Sequence, residues 1–341
     1  MVQYSDKEEM NVIWSTSDKY SEIAATSVTS LLINNTCMAN INIYIIDMGI
    51  SDIHKKWLED IVDLYNRHIT FVKMIDIEQK VGIKMNVGRW HISTFSRLFL
   101  TTILPESIKK ILYLDCDVIV RHSLKRLWET DMKDVWVLGA DDCRGSLYRT
   151  ELGVDKESIY TNNGVMLIDL QAWRYNNVEK IFIEYIKKRH GDITYMDQGV
   201  LNGCLQPLGK VGLLPISYNA QTACYDLGFD GLEVCRKPVW AYAKETFERD
   251  IEDPNIVHFT TCFMSGTRPW HEKDKHKFRN EFLQYREMTP WKNEPLWVDN
   301  TPATKKMMSR ICTIIPKFIT FRIIRCVHVY VYPWVRKMKS R

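Results

Sequence analysis

The chain has 341 residues, 45% of them hydrophobic and 26% charged, enough to bury one large core, and α/β folds of this size often form a single domain. Nine cysteines with no Cys-x-x-Cys pair argue against a zinc module, and the polar start Met-Val-Gln-Tyr-Ser-Asp-Lys argues against a secretory leader, so a cytoplasmic setting is expected. The net charge of +4 is uneven: residues 305–341 hold ten Lys and Arg and no acid, which leaves the first 304 residues with 36 bases against 42 acids, net −6.

In chain order, residues 11–16 read as a short apolar strand, 20–33 as a helix and 41–47 as a second buried strand. Ser51 is a good N-cap for an amphipathic helix reaching residue 66, with Ile53, Trp57, Leu58, Ile61 and Leu64 or Tyr65 on its apolar face. Residues 69–75 give a third strand, and 95–103 a helix that stops before Pro105.

Residues 110–120, Lys-Ile-Leu-Tyr-Leu-Asp-Cys-Asp-Val-Ile-Val, read as a buried apolar strand that stops on two carboxylates, Asp115 and Asp117. In a strand, residues i and i+2 point to the same side, so the pair can converge on one hard cation while Ile111, Leu112 and Leu114 stay in the core. Unpaired carboxylates at a strand end are costly, and a divalent ion carrying substrate phosphates offsets that cost. A surface Asp-x-Asp turn is the plain alternative. A phosphohydrolase of the haloacid-dehalogenase type, with Asp115 as covalent nucleophile, is the sharper one. Position counts against it, because that nucleophile normally ends the first strand of its domain.

Further strands are expected at 135–140, 164–170, 211–215 and 256–260. Strands alternating with helices imply α/β architecture, a mostly parallel sheet covered on both faces. There is no Gly-rich dinucleotide fingerprint and no Walker A loop, so phosphates would have to be held by a metal.

The chain resembles glycosyltransferase family 8, the retaining nucleotide-sugar transferases that include lipopolysaccharide galactosyl- and glucosyltransferases. The resemblance runs in order through Ser-Asp-Lys-Tyr at 17–20, Phe-Ser-Arg-Leu at 95–98, the acidic strand, Thr-Asn-Asn-Gly at 161–164 with Trp173, Tyr-Met-Asp-Gln-Gly at 195–199, Val-His-Phe-Thr at 257–260 and Arg-Pro-Trp-His at 268–271. It implies a Rossmann-like nucleotide-sugar-binding domain of the GT-A type. It also implies a metal site of Asp115, Asp117 and His258, filled by Mn²⁺ with Mg²⁺ as the alternative; imidazole beside two carboxylates suits Mn²⁺.

By the same resemblance, Asp18 and Tyr20 meet the uracil, Arg97 reaches the donor, and Asn162, Asp197 and Gln198 surround the donor hexose. Arg268 counters the diphosphate, although the family commonly has Lys there and the loop before Arg268 is longer. Each has a plainer reading. Asp18 or Asp197 could simply cap a helix, Asn-Asn-Gly could be a turn, Arg97 could be a solvent-facing or ion-paired base, and His258 could be a satisfied core residue. Ser17 replaces a second family Asp, and Asp141 and Asp142 could face the acceptor.

The basic tail interleaves its charges with Ile311, Ile314, Ile315, Phe318, Phe321, Tyr330, Tyr332 and Trp334. That mixture suits an anionic membrane surface better than nucleic acid. Its longest uncharged run, 326–335, is far short of the ~20 apolar residues of a spanning helix. The expected organisation is therefore a catalytic domain over 1–290 and a membrane-associating tail over 291–341. The expected activity is transfer of glucose or galactose from a UDP-sugar to a glycan or lipid-linked acceptor at the inner face of the plasma membrane. A non-catalytic sugar-nucleotide-binding or membrane-binding protein is the remaining alternative.

Overall fold

A computed structural model describes residues 9–88, 91–262, 267–326 and 331. Its strands in chain order are β1 (Glu9–Thr16), β2 (Asn40–Asp47), β3 (His68–Lys73), β4 (Lys110–Leu114), β5 (Val118–Val120), β6 (Val137–Asp141), β7 (Thr161–Asp169), β8 (Val211–Leu214), β9 (Ala220–Gln221) and β10 (Ile256–His258). Seven of them form one sheet in the order β3-β2-β1-β4-β7-β6-β8, and β5-β10-β9 form a small second sheet. In the large sheet only β7 runs antiparallel to its neighbours, β4 and β6. The mostly parallel α/β sheet read from the sequence is present.

Alternating side chains of the strands feed two cores, one on each face of the sheet. Val12, Trp14, Leu112 and Leu114 pack on one side, and Ile13, Ile111 and Tyr113 on the other. Helix Ser21–Asn34 is buried along most of its length yet rich in Ser and Thr. Two of its hydroxyls tie it to the strands: Ser27 Oγ accepts from Trp14 Nε1 at 3.0 Å, and Ser30 Oγ accepts from the Val120 amide at 2.9 Å. Burial of these polar groups is tolerable because each is bonded.

Several boundaries differ from the sequence expectation. Residues 110–120 are not one strand, because the chain leaves β4 at Leu114, turns through Asp115-Cys116-Asp117 and resumes as β5 in the second sheet. The turn is pinned by the Asp115 amide donating to the Gly164 carbonyl at 2.8 Å. Asn162, Asn163 and Gly164 lie inside β7 rather than in a turn before it. The 95–103 helix is instead a 3₁₀ stretch, Ile92–Leu98, followed by one turn, Leu100–Ile103. Ser51 does cap helix Asp52–Asp63, accepting from the His54 amide at 3.4 Å, but Ile53 and Leu64 are exposed and do not join its buried face.

Packing against the body continues past residue 290. Trp291 is buried in the core, and Trp297 Nε1 donates to Glu22 at 2.8 Å. The tail then forms helices Ala303–Ile314 and Lys317–Arg325, the second lying on helix Thr222–Arg236. There Phe321 fills the space over Gly231, where a β-carbon would come within 2.9 Å of its ring. Tyr330, Tyr332 and Trp334 fall outside the described residues, as does the side chain of Phe318. No helix among the described residues is long and apolar enough to cross a membrane.

Candidate active site

The corner between β4 and β5 places Asp115 and Asp117 against the end of β10, which supplies His258. Ligand atoms of the three lie within 4.8 Å of one another. His258 Nε2 is 3.2 Å from Asp117 Oδ1 and 3.7 Å from Asp115 Oδ2. Two carboxylates and an imidazole thus meet at one point although they come from two sheets, and strand alternation is not what aligns them. Gly164 is required for this convergence: a β-carbon there would lie 2.2 Å from His258 Cε1.

The other ring nitrogen of His258 is committed. Its Nδ1 is 2.9 Å from Asn219 Oδ1, Asn219 Nδ2 donates to Asn162 Oδ1 at 3.0 Å, and the Gly164 amide donates to that same Asn162 oxygen at 2.9 Å. A backbone N–H can only donate, so it fixes which end of Asn162 is oxygen. That choice fixes Asn219 and leaves the proton of His258 on Nδ1. The Nε2 lone pair is then free to ligate, in the arrangement by which second ligand shells orient metal-bound histidines.

Asn162 extends the same chain the other way. Its Nδ2 donates to Gln198 Oε1 at 3.2 Å, and Gln198 Nε2 donates to Asp142 Oδ2 at 3.0 Å. Asp197 lies in the first turn of helix Met196–Leu205 and does not cap it, since Tyr195 holds the capping position. It accepts from Asn163 Nδ2 at 3.2 Å and pairs with Arg97 Nε at 3.3 Å. The Arg97 guanidinium also holds Asp115 Oδ1 at 2.9 Å and the Asn163 carbonyl at 3.0 Å, 4.5 Å from the Tyr113 ring centre. Arg97 therefore ties the Asp115 corner to Asp197.

Charges in the cluster reinforce one another. Burial opposes ionisation of Asp117, but His258 and Arg268 outweigh it and hold the carboxyl down at about 2. Burial likewise disfavours the His258 imidazolium, yet Asp117 and Asp115 raise its pKa. The corner is thus an anionic site facing a ring nitrogen, and its donor set fits a divalent ion. Arg268 Nη1 pairs with Asp117 Oδ2 at 3.0 Å and adds a cation to the corner.

Tyr20 is partly exposed, with its ring edge-to-face against Trp297 at 5.4 Å. Asp18 Oδ1 accepts from the Ser51 amide and hydroxyl at 2.9 and 2.6 Å and contacts His54 Nδ1 at 2.7 Å, so it braces the loop after β1 against the start of helix Asp52–Asp63. Asp142 is buried; burial opposes its charge, but Arg144 and Arg236 keep its pKa low. Asp141, also buried, is pushed up to about 7 by burial, which the nearby Arg149 offsets only in part.

A sequence model described as glycosyl transferase family 8 matches residues 11–274. The chain belongs to this family. General stress protein A of Bacillus subtilis is 27% identical over 83% of this chain and 95% of its own length. A lipopolysaccharide 1,2-glucosyltransferase of Escherichia coli is 24% identical over 86% of this chain and 83% of its own. A lipopolysaccharide 1,3-galactosyltransferase of Salmonella typhimurium is 25% identical over 85% and 81%. Among solved structures, the galactosyltransferase LgtC superposes with a TM-score of 0.68 over 83% of this chain and 99% of that one, at 23% identity. The fold is accordingly of the GT-A glycosyltransferase type, and the chain is a family 8 glycosyltransferase.

Of the ten residues expected at the site, Arg97, Asp115, Asp117, Asn162, Asp197, Gln198, His258 and Arg268 are joined by direct contacts or through Asn219, Tyr20 lies near Arg268 and Asp117, and Asp18 instead faces Ser51 and His54. Sequence reasoning missed Asn219, which sits in no recognisable motif, and Trp297, which lies in a segment read as tail. It also missed Arg144 and Arg236, the partners of Asp142. Only the polar pair Tyr218-Asn219 just after an apolar strand hinted at Asn219.

Proposed function

We propose that this glycosyltransferase moves glucose or galactose from a UDP-sugar to a glycan acceptor, with retention at the anomeric carbon and with Mn²⁺ held by Asp115, Asp117 and His258. The observation that carries the proposal is the single hydrogen-bonded chain linking the metal ligand His258, through Asn219 and Asn162, to Gln198. It couples the place where a diphosphate would be held to the place where a hexose would lie. The names of the lipopolysaccharide glucosyl- and galactosyltransferase relatives support a hexose donor and a surface-glycan acceptor.

A divalent ion at this corner supplies Lewis-acid stabilisation to a departing nucleoside diphosphate. The chain's own residues do the rest. Arg268 offers a second positive charge to the diphosphate by turning from Asp117, and its fork matches phosphate oxygens better than an ammonium would. Tyr20 presents a ring against which a uracil can stack, braced by Trp297. Asn162, Gln198 and Asp197 orient the hexose from rigid positions.

Gln198 is a poor nucleophile, and the Asp197 carboxylate is engaged by Arg97 and Asn163. Front-face attack fits better: the acceptor hydroxyl oxygen bonds to the anomeric carbon on the side from which the diphosphate leaves, and its proton passes to the departing phosphate oxygen. The phosphohydrolase alternative is disfavoured because Asp115 Oδ1 is tied to Arg97 and lies 3.2 Å from the Tyr113 hydroxyl, so that oxygen is not poised to attack a phosphate ester.

The tail supports attachment to the inner face of an anionic membrane. Its helices expose Met307, Ile311, Ile314, Ile319 and Ile323 among Lys305, Lys317 and Arg322. Pure protein incubated with Mn²⁺ and a panel of UDP-sugars, with UDP and inorganic phosphate both measured, tests the proposal. UDP release with one hexose preferred is the expected result; phosphate release from simple esters would indicate the hydrolase, and no turnover a binding protein.

A further inference from the structure

Gln198 donates to Asp142, Asp142 pairs with Arg144, and Arg144 stands in the wall of a cavity of about 110 Å³ lined also by Gly145, Ser146, Leu147, Tyr148, Arg236 and Lys237. Its walls are fixed. Gly145 bridges to Pro238, and a β-carbon at 145 would lie 2.7 Å from the Arg236 carbonyl. Lys237 is the left-handed residue that ends helix Thr222–Arg236.

The charges lining it do not balance. Arg144 pairs with Asp142 at 2.9 Å, and Arg236 reaches only the backbone carbonyl of that residue, at 3.4 Å. The nearby Asp141 faces its own cation, Arg149, at 3.6 Å. Two guanidiniums therefore share one carboxylate, and a third base, Lys237, also lines the cavity. Burial and then repulsion from Arg144 weaken the protonated form of Arg236, a cost that an anion in the cavity would relieve. The volume decides what kind of anion: sites for whole small-molecule ligands run to about 300–1,000 Å³, so this one takes a single charged group and not a sugar ring.

We propose that Arg144, Arg236 and Lys237 form a subsite for a phosphoryl group carried by the acceptor. The proposal rests on the transferase function above and deepens it. The chemistry of the walls favours phosphate, because two guanidinium forks and an ammonium can share its oxygens. The tail favours a membrane-borne source. Helix Lys317–Arg325 sits on the helix that carries Arg236, with Phe321 over Gly231, about 7.5 Å along the axis from Arg236. A lipid-linked acceptor would thus bring its phosphate to the cavity and its glycan to Gln198.

Titration of the metal-free protein with inorganic phosphate, against chloride at matched ionic strength, tests the subsite through Tm. Phosphate should stabilise the wild type and Arg268→Gln alike, since the missing cation of that variant lies on the donor side. Lys237→Gln should weaken the response several-fold, and Arg236→Gln about tenfold or more. A wild-type response in both variants overturns the proposal, as does a response lost in Arg268→Gln instead. Lys237 is exposed, so its variant remains informative even where Arg236→Gln fails to fold.

The source is read separately. UDP release should be stimulated more by a dodecyl-diphosphate-linked glucose in vesicles than by glucose 6-phosphate in solution, and the reverse order refutes the membrane source. Absence of UDP-sugar turnover in the wild type would remove the transferase function, while the phosphate titration would still judge the cavity.

Discussion

His258 has two ring nitrogens, and the fold gives each a separate task. Nδ1 donates to Asn219, whose orientation is set by Asn162 and finally by the Gly164 amide, so Nε2 faces Asp115 and Asp117. Removing such an outer partner commonly costs about 10–100-fold in metal affinity. Asn219→Ala should therefore weaken Mn²⁺ binding by that factor in calorimetry while the far-ultraviolet spectrum stays unchanged. Gly164→Ala should be more severe, because the added methyl overlaps the imidazole itself; wild-type metal affinity in that variant would show that His258 is not a ligand.

Asp141 offers a prediction with a defined sign. Its folded pKa, pushed up to about 7 by burial, lies above the ordinary value of 3.8. The folded state therefore keeps a proton that the unfolded chain releases between those two values. Its contribution is most favourable below pH 4 and is lost as pH rises through 7. At about 1.4 kcal/mol per unit, the swing is at most roughly 4 kcal/mol. Asp141→Asn mimics the protonated form, so its Tm relative to wild type should climb between pH 4 and pH 8 and level off outside that range. A difference that is flat with pH would show that Asp141 ionises normally against Arg149.

At the scale of elements, the corner between β4 and β5 is the decisive feature. The apolar run with its carboxylates was legible in the sequence, and so was the alternation of strands and helices. What the run could not reveal is that it belongs to two sheets, because apolar residues flank the acids on both sides and nothing marks the turn except Asp-Cys-Asp itself. Asn162 and Asn163 mislead for a related reason. Asn-Asn-Gly has the composition of a turn, yet it lies within β7, where the side chains of Asn162 and Asn163 meet Gln198 and Asp197. Arg97 was expected to reach the donor by resemblance, with an ion-paired base as the plainer reading; that it links Asp115 to Asp197 follows only from the packing of a 3₁₀ segment.

The tail is the second element with a testable role. Truncation after Thr301 removes all ten of its bases and leaves every donor-site residue in place. Sedimentation with anionic vesicles should be lost, since each Lys or Arg near such a surface contributes ~1 kcal/mol, and wild-type attachment should fade with added salt. UDP-sugar hydrolysis without acceptor should survive truncation. A truncated protein that still sediments with the vesicles would place the membrane contact elsewhere, for instance on the exposed face of helix Asp52–Asp63.

For the whole molecule, three proposed surfaces are joined through one chain of contacts: the corner of Asp115, Asp117 and His258 for a diphosphate, the polar network of Asn162, Gln198 and Asp197 for a hexose, and a basic cavity reached through Asp142 and Arg144. The first two were readable from ordered motifs, because residue types that bind metal and sugar recur at fixed places along the fold. The third was not, because Arg144 and Arg236 are 92 positions apart and only the fold brings them together. The family and fold are common to many hexosyltransferases, so the central claim concerns chemistry at the corner.

The most direct test is UDP release from the preferred UDP-hexose by wild type with Mn²⁺, by wild type in excess chelator and by Asp117→Asn with Mn²⁺. The predicted result is turnover in the first, restored on adding Mn²⁺ back to the second, and a loss of at least ~10²-fold in the third with Tm close to wild type. Full turnover in chelator, or in Asp117→Asn, would contradict a reaction that depends on a metal held by Asp115, Asp117 and His258.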